Sequence, residues 1–243
     1  MLNAEKLENL IHAKYPEAYV RVFDTVDSTN TRAKDTEDFS FGIICARSQT
    51  AGRGRLGRSF YSPEGTGLYM SLILPITPKE AFEFSLTAAA AVAGARAIER
   101  LCGISAGIKW INDLYINGKK VAGILTEGQP NRVIVGIGIN VSTQVFPPEL
   151  KQAGSLGKTA DLSELAAAVA LELFDMVFGK SRGFMPEYRR RSILLGKEIL
   201  YLKGGTEHRA KAVDIDAMGR LVVQDALGAE TALDSGEVRV IRE

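Results

Sequence analysis

The feature that most constrains the fold is a loop rich in glycine and arginine between two apolar runs. From Gln49 to Phe60 the chain is Gln-Thr-Ala-Gly-Arg-Gly-Arg-Leu-Gly-Arg-Ser-Phe, so that three glycines alternate with three arginines. Glycine allows backbone amides to approach an anion closely, and arginine supplies a permanent, forked cationic donor. Such a loop is suited to closing over a ligand that carries phosphate.

The same loop matches the dinucleotide-binding pattern G-x-G-x-x-G, but its surroundings do not. That pattern requires a helix directly after the glycines, whereas residues 60–66 are typical of a turn and residues 67–74 of a strand. The glycine-rich loop of protein kinases is excluded because the chain contains neither His-Arg-Asp nor Asp-Phe-Gly. A loop that covers phosphate and a solvated basic loop both stay open at this point.

Composition excludes several classes of protein. The chain has 243 residues, 46% of them hydrophobic, which fits one large domain or a medium domain with a small appendage. A net charge of +1 argues against extended nucleic-acid binding, and no apolar run reaches the ~18 residues of a membrane span. The N-terminus is polar and lacks a signal peptide, and Cys45 and Cys102 lie apart in apolar surroundings. We expect two reduced thiols and a cytoplasmic protein.

Histidine is scarce, and this limits the chemistry. The two histidines, His12 and His208, have no second potential ligand at metal spacing and no nucleophile motif nearby. A histidine-based triad, a zinc site and a histidine general base are therefore not expected, nor is any protein cage for a metal. The chemistry is expected to depend on Lys, Arg, Asn and Asp.

Hydrophobic periodicity predicts an α+β fold with a mixed or antiparallel central sheet. A two-residue hairpin turn is expected at Asn117-Gly118. Helices are predicted over residues 4–14, 80–102, 161–178 and 186–194. Strands are predicted over residues 18–26, 42–47, 67–74, 114–116, 121–125 and 132–139, with another opening at Ile108.

The pattern of predicted secondary structure changes after Gly196. Five short strands, at 198–202, 209–215, 221–224, 230–233 and 237–241, are separated by glycine-containing turns. About 48 residues in this pattern predict a small SH3-like β-barrel. We therefore expect a catalytic domain at residues 1–194 and a barrel domain at residues 195–243.

Two further stretches combine polar groups with apolar strands. Lys120 opens the apolar run Val-Ala-Gly-Ile-Leu, and a lysine entering a buried strand needs an anionic partner, unless it is only a solvated hairpin residue. Asn112-Asp113 are either functional groups or simple turn residues. Ser28-Thr29-Asn30 either cap a short helix, with Asp27 or Ser28 as N-cap, or face a polar ligand.

Together these stretches resemble the biotin protein ligases, also called biotin–acetyl-CoA-carboxylase ligases. Five motifs occur in the family's order between residues 25 and 141. They are Ser28-Thr29-Asn30, Gln49 to Arg58, Lys109-Trp110-Ile111-Asn112-Asp113, Lys120 to Glu127, and Gly136-Ile137-Gly138-Ile139-Asn140. The resemblance implies a fold like that of class II synthetases and a monofunctional enzyme without an N-terminal DNA-binding domain.

The resemblance also implies the substrates and the roles of residues. The substrates would be biotin, ATP with Mg²⁺, and a lysine of a biotin carboxyl carrier protein, with biotinyl-5′-AMP as the intermediate. Lys120, Arg55 and Asp113 would have catalytic roles. Asp113 would lie beside the Mg²⁺ that enters with ATP. Biotin would contact Ser28, Thr29, Asn30, Gln49, Arg53, Gly54, Arg55, Lys120 and Gly123. The nucleotide would contact Arg53, Arg55, Phe60, Lys109, Trp110, Asn112 and Asn140.

Two positions depart from the family pattern. Ile111 replaces the usual proline of Trp-Pro-Asn-Asp, and Phe60 replaces a common tryptophan after the loop. Neither change removes a charged group, so we expect altered affinity rather than lost activity.

Three alternatives stay open. Lipoate ligases and octanoyltransferases share the implied fold, but their paired-arginine, histidine-containing motif is not found here. A ligase that also represses transcription needs a helix-turn-helix domain, whereas the residues before Asp27 suffice for one helix and one strand. The third alternative is a non-catalytic module that binds biotin or nucleotide. We expect no nucleic-acid or membrane partner; the oligomeric state stays open, and a homodimer is compatible with the sequence.

Overall fold

The computed structural model describes residues 1–37 and 41–241, and its centre is a seven-stranded sheet. The strands are β1 Tyr19–Val26, β2 Gly42–Gln49, β3 Gly67–Leu74, β4 Gly107–Lys109, β5 Asp113–Ile116, β6 Lys119–Gln129 and β7 Arg132–Asn140. Their spatial order is β1-β2-β3-β7-β6-β5-β4. The β1–β2 pair is parallel, and the other five neighbouring pairs in this order are antiparallel. The predicted α+β fold with a mixed central sheet is confirmed.

The turn between β5 and β6 has the predicted form. Asn117 and Gly118 have φ values of 50° and 73°, and a two-residue hairpin of type I′ requires positive φ at both positions. Asparagine and glycine tolerate this conformation better than other residues. The turn fixes the register of β6, which then extends to Gln129.

Six helices accompany the sheet in the described part of the chain, and most of them cover one face. They are α1 Ala4–His12, α2 Thr29–Asp35, α3 Pro78–Phe84, α4 Leu86–Cys102, α5 Leu162–Phe178 and α6 Met185–Arg191. Side chains of α4 and α5 pack with Met70, Leu72 and Ile137 in one large core. None of these helices combines the length and apolar character needed to cross a bilayer.

The opposite face of the sheet carries α2 and is the face that matters for function. Paired residues on antiparallel strands share a face, so Ser71 faces the same side as Gly136, and Gly123 the same side as Gly138. Beside them, Ala33 of α2 packs in a small apolar cluster with Ile44, Ile73 and Ile134.

The predicted single helix over residues 80–102 is wrong in its first part. Ser85 adopts a left-handed conformation with φ of 60°, which ends α3 and starts α4. The beginning of α3 has clear local causes, because Thr77 and Glu80 form a capping box and Pro78 occupies the first turn. Helix α6 likewise ends at Arg191, three residues before the predicted end.

The C-terminal part is an open sheet, so the predicted barrel is not confirmed. Strands β8 Glu198–Lys203, β9 Thr206–Ile215, β10 Leu221–Gln224, β11 Glu230–Leu233 and β12 Val238–Val240 are arranged in the order β11-β10-β9-β8-β12. The edge strands β11 and β12 are short, and within residues 198–241 no ladder joins them. The buried residues Ile199, Ala212 and Leu221 of this sheet belong to the same core as the central sheet.

An aromatic cluster in this core allows a test of the fold. Phe174 is fully buried, and its ring centroid lies 5.4 Å from that of Tyr15 and 5.6 Å from that of Phe41. We expect Phe174→Ala to lower the free energy of unfolding by about 3–5 kcal/mol, measured by urea denaturation, because it leaves a cavity. The matched control is Phe82→Ala, whose side chain is half exposed and should change stability by less than about 1 kcal/mol. Equal effects of the two variants would contradict the packing of α5.

Candidate active site

A cavity of about 570 Å³ lies on the α2 face of the sheet. It is bounded by α2, by the glycine- and arginine-rich loop, by residues 146–153 and by residues 236–239 of the C-terminal sheet. Its volume is in the range of sites for small-molecule ligands and cofactors.

Glycines in β6 and β7 form the floor of this cavity, and other side chains occupy the space that they leave. A Cβ atom at Gly138 would lie 2.5 Å from the Phe60 ring, and one at Gly136 would lie 2.2 Å from Asn30 Oδ1. A Cβ at Gly123 would lie 3.3 Å from Lys120 Nζ. The loop and α2 therefore approach the sheet closely because these positions lack side chains.

One end of the cavity is lined by neutral polar side chains. Gln49 Oε1 accepts the Thr29 backbone N–H at 2.8 Å, and Gln49 Nε2 donates to Ser62 Oγ at 2.8 Å. Ser28 occupies the N-cap position of α2, but its side chain makes no capping hydrogen bond. Ser28, Thr29 and Asn30 are all buried at the cavity wall.

The other end of the cavity is cationic. Lys120 Nζ lies 2.6 Å from Asp113 Oδ1, and Arg55 Nη1 donates to Asn112 Oδ1 at 3.2 Å. The loop after residue 146 fixes the backbone of Lys120. The Lys120 N–H donates to the Gln152 carbonyl at 2.7 Å, and the Lys120 carbonyl accepts from the Gly154 N–H at 2.8 Å. Of the two interpretations of Lys120 that the sequence left open, the structure agrees with the one that gives this lysine an anionic partner.

Burial and neighbouring charges shift the pKa values of Arg55 and Lys109 at this end of the cavity. Burial lowers the pKa of Arg55, although the nearby Asp113 and Tyr188 act to raise it. Burial also lowers the pKa of Lys109; Asp113 opposes this shift, whereas Lys120 and nearby arginines add to it. A cluster of cations whose charges disfavour one another is stabilised by a bound anion.

Two buried oxygen atoms at the cavity lack a well-aligned donor within the described residues. They are Asp113 Oδ1, whose contact is the Lys120 ammonium, and Asn140 Oδ1. The Asn140 amide donates its N–H to the Gly154 carbonyl at 3.0 Å, which fixes the side chain. The Asn140 oxygen is available to a donor on a ligand, whereas Asp113 Oδ1 already has the Lys120 ammonium as its charged partner. In residues 1–37 and 41–241, no group of three His, Cys, Asp or Glu side chains is arranged to hold a metal ion.

Comparison with known proteins is consistent with this geometry. The model of the biotin/lipoate A/B protein ligase family matches residues 22–144, which include the loop and both ends of the cavity. The chain belongs to this family.

Several family members are similar over most of the chain. The bifunctional ligase/repressor BirA of Bacillus spizizenii is 39% identical over 76% of this chain and 62% of its own length. This chain thus spans about three fifths of that curated relative. The biotin–[acetyl-CoA-carboxylase] ligase of Mycobacterium tuberculosis is 30% identical over 87% of this chain and 83% of its own. The structure of the Aquifex aeolicus biotin protein ligase in complex with biotin and ATP is 32% identical, with a TM-score of 0.79, and covers 91% of this chain and 98% of its own.

All the site residues that we predicted from the sequence line one cavity. The lining includes Ser28, Thr29, Asn30, Gln49, Arg53, Gly54, Arg55, Phe60, Lys109, Trp110, Asn112, Asp113, Lys120, Gly123 and Asn140. Their roles in binding and catalysis stay predictions.

Two of these residues have contacts that the sequence did not indicate. The Arg53 guanidinium lies 3.0 Å from Glu127 Oε1, at the polar end of the cavity. The Trp110 indole N–H donates to the Gly219 carbonyl at 2.8 Å, so Trp110 also joins the central sheet to the C-terminal sheet. The adjacent Ile111, at the position of the family's proline, accepts a 3.0 Å hydrogen bond from the Tyr188 hydroxyl at its carbonyl.

Two segments that line the cavity were not predicted from the sequence. Residues 146–153 follow Asn140 as an irregular loop without periodicity. Residues 236–239 lie far along the chain, at the start of the short edge strand β12 and just before it. From the second segment, Glu237 pairs with Arg58 of the loop. No local pattern in the sequence identifies either segment.

The acid dependence of stability tests the ion pairs at the polar end. Burial would raise the pKa of Glu127, but hydrogen bonds from Lys34 and Asn30 and the charges of Lys34 and Arg53 hold it below its usual range. A carboxylate whose folded pKa is lowered stabilises the fold above its unfolded pKa, about 4.3, and this contribution disappears as the pH falls through the folded pKa.

We therefore expect Glu127→Gln to lower the free energy of unfolding by a constant amount at neutral and alkaline pH. The difference from the unsubstituted protein should shrink below pH ~4.3. Urea denaturation at a series of pH values measures it. A difference that is independent of pH down to the acid limit would contradict the ion pairs.

Proposed function

We propose that the protein is an ATP-dependent biotin protein ligase. It forms biotinyl-5′-AMP from biotin and ATP and transfers biotin to a lysine of a biotin carboxyl carrier domain. The observation that carries this proposal is the continuity of the cavity, in which a neutral hydrogen-bonding end joins a cationic end around Lys120. Biotin has the matching asymmetry, with a polar uncharged ring at one end and a carboxylate at the other.

The first step brings two anions together. The biotin carboxylate attacks the α-phosphorus of ATP, and pyrophosphate leaves. No general base is needed, because a carboxylate is ionised at pH 7. Lys120, Arg55 and Lys109 offset the charge that accumulates on the phosphate oxygens. Lys120 exchanges its contact with Asp113 for the substrate anions.

Mg²⁺ enters this reaction with ATP, as part of the substrate. Asp113 has the chemistry to face it, since the carboxylate is a hard oxygen ligand and its buried Oδ1 has only the Lys120 contact. Asn112 is fixed beside it by its N–H donation to the Ile124 carbonyl at 2.8 Å. We assign to these two residues the placement of the phosphate and its counter-ion.

The intermediate is a mixed anhydride that water hydrolyses, so the site must exclude water. We assign this role to the loop from Gly52 to Phe60, because its Phe60 ring covers the glycine floor at Gly138 and its Arg58 reaches Glu237. The Asn140 oxygen offers an acceptor to the nucleobase amine. We place the adenosine between Asn140 and residues 146–153.

In the second step the acceptor lysine attacks the acyl carbon and AMP leaves. The attacking ammonium group gives up its proton to solvent water before the attack, and the partly buried carboxylate of Asp113 can orient the amine. We propose that residues 1–194 form the catalytic unit and that the remainder supplies Glu237 and Arg239 to its rim. We also propose a cytoplasmic location for the reaction.

The related lipoate or octanoate transfer is the second candidate, since the family includes both chemistries. The polar end of the cavity favours biotin, because an alkyl chain or a dithiolane ring has no N–H or carbonyl to pair with Thr29 and Gln49. A non-catalytic binding module is the third candidate.

The deciding experiment follows AMP release from labelled ATP with biotin, lipoate or neither, with and without a biotin carrier domain. We expect adenylate to form only with biotin and AMP to appear only when the carrier is added. Adenylate formation that depends on lipoate would instead identify the protein as a lipoate ligase. Absence of turnover with both acids would leave a binding module.

Lys120 is the residue whose loss should most affect the first step. We expect Lys120→Ala to raise the activation free energy of adenylation by about 2–4 kcal/mol, as for other single charge stabilisers, measured by single-turnover adenylate formation. Lys79→Ala, which removes an exposed lysine of α3 at a distance from the cavity, is the control. Adenylation at the normal rate in Lys120→Ala would refute the role.

Arg55 should matter most for retention of the intermediate. Its guanidinium reaches Asn112 from the loop, so Arg55→Ala should release biotinyl-5′-AMP and lower the yield of biotinylated carrier. The fraction of adenylate that remains bound after gel filtration measures this. Retention equal to that of the unsubstituted protein would show that the loop does not hold the phosphate.

A further inference from the structure

A chain of side chains behind the polar end of the cavity is not explained by the reaction itself. Ser71 of β3 is fully buried, and its Oγ lies 2.6 Å from Asn30 Oδ1 and 2.8 Å from Thr29 Oγ1. Asn30 Nδ2 donates to Glu127 Oε2 at 2.9 Å. Glu127, Asn30, Ser71 and Thr29 therefore form one continuous series that ends at the cavity wall.

The carboxylate at one end sets the direction of every hydrogen bond in the series. Glu127 can only accept, so Asn30 presents its N–H group to Glu127 and its oxygen to Ser71. The Asn30 oxygen can only accept, so the single proton of Ser71 points to it. Because the one proton of Ser71 is used for Asn30, the 2.8 Å contact between Ser71 Oγ and Thr29 Oγ1 requires Thr29 as its donor; Gln49 Oε1, at 3.2 Å, is a second and more distant acceptor for the same Thr29 proton.

Glu127 is held in the ionised form that this polarity requires. Its Oε1 lies 2.7 Å from Lys34 Nζ and 3.0 Å from Arg53 Nη2, while Oε2 receives the Asn30 N–H. Gly136 makes the arrangement sterically feasible, because a Cβ there would lie 2.2 Å from Asn30 Oδ1. The proton of the Thr29 hydroxyl is thus directed into the protein, and only its lone pairs are left for a ligand.

We propose that Glu127 and Ser71 are positioning residues that make Thr29 a hydrogen-bond acceptor toward the cavity, selecting ligands whose ring carries an N–H donor, as a cyclic urea does. This inference rests on the proposed function and specifies how its substrate is chosen. A ring without an N–H group leaves the Thr29 oxygen unpaired in a buried site, and such sites discriminate strongly against analogues that lack the partner.

The test compares Ser71→Ala with Ser163→Ala. Both serines are fully buried, but Ser163 lies at the start of α5, hydrogen-bonded to Asn3. Ser71→Ala leaves the Thr29 hydroxyl only the longer contact to Gln49 Oε1, so its proton can turn to the ligand, and KM for biotin should rise about tenfold, the equivalent of roughly 1.4 kcal/mol. The KM for ATP and the kcat at saturating biotin should stay within about twofold. Desthiobiotin, which keeps the cyclic urea, should lose affinity by the same factor.

A second pair of variants covers the case in which Ser71→Ala does not fold. Glu127→Gln keeps the shape but removes the obligatory acceptor, and should raise KM for biotin about three- to tenfold. Glu187→Gln makes the same change in a partly buried glutamate that pairs with Arg96 and Arg191 away from the cavity, and should leave this KM unchanged.

The outcomes separate this inference from the proposed function. If the unsubstituted protein neither binds biotin nor forms its adenylate, the proposed function fails and this inference with it. If the unsubstituted protein is active but Ser71→Ala matches Ser163→Ala, or Glu127→Gln matches Glu187→Gln where Ser71→Ala does not fold, the series only supports the fold. A parallel rise in KM for biotin and for ATP would also overturn the inference, because it would indicate general distortion of the site.

Discussion

The arrangement of the site depends on three positions in β6 and β7 that have no side chain. The Phe60 ring, the Asn30 amide and the Lys120 ammonium occupy the volumes that Cβ atoms at Gly138, Gly136 and Gly123 would need or closely approach. These groups come from a loop, a helix and a strand, so the glycines determine how closely three separate elements approach the sheet. A sheet with ordinary side chains there would hold the loop and α2 too far away to form one cavity.

Three cations of the site are already paired before any substrate binds. Lys120 contacts Asp113, Arg58 contacts Glu237 and Arg53 contacts Glu127, whereas Arg55 donates only to the neutral Asn112. For the three paired residues, binding of phosphate is an exchange of ionic partners. Burying an unpaired charge is expensive, and this pairing allows a strongly cationic cavity to exist in a stable fold.

Local signals made much of this protein predictable from its sequence. The Asn117-Gly118 turn, β3 and the start of α5 near residue 161 follow from backbone rules that act over a few residues. The break at Ser85 was missed because good helix formers on both sides of it predict one continuous helix. Ser71 and Glu237 could not be assigned, since their partners lie 41 and 179 positions away, and only the register of the sheets brings them together. The barrel was predicted from the number of strands, which does not determine whether a sheet closes.

The hydrogen bond from Trp110 to the Gly219 carbonyl gives the protein a built-in optical probe. The chain contains one tryptophan, so its tryptophan emission comes from a single indole, which is buried at the cavity and joined to the C-terminal sheet. Indole emission shifts to longer wavelength when water replaces a protein partner. A change in the seating of the C-terminal sheet, or the filling of the cavity beside this ring, is therefore reported by one chromophore without any label.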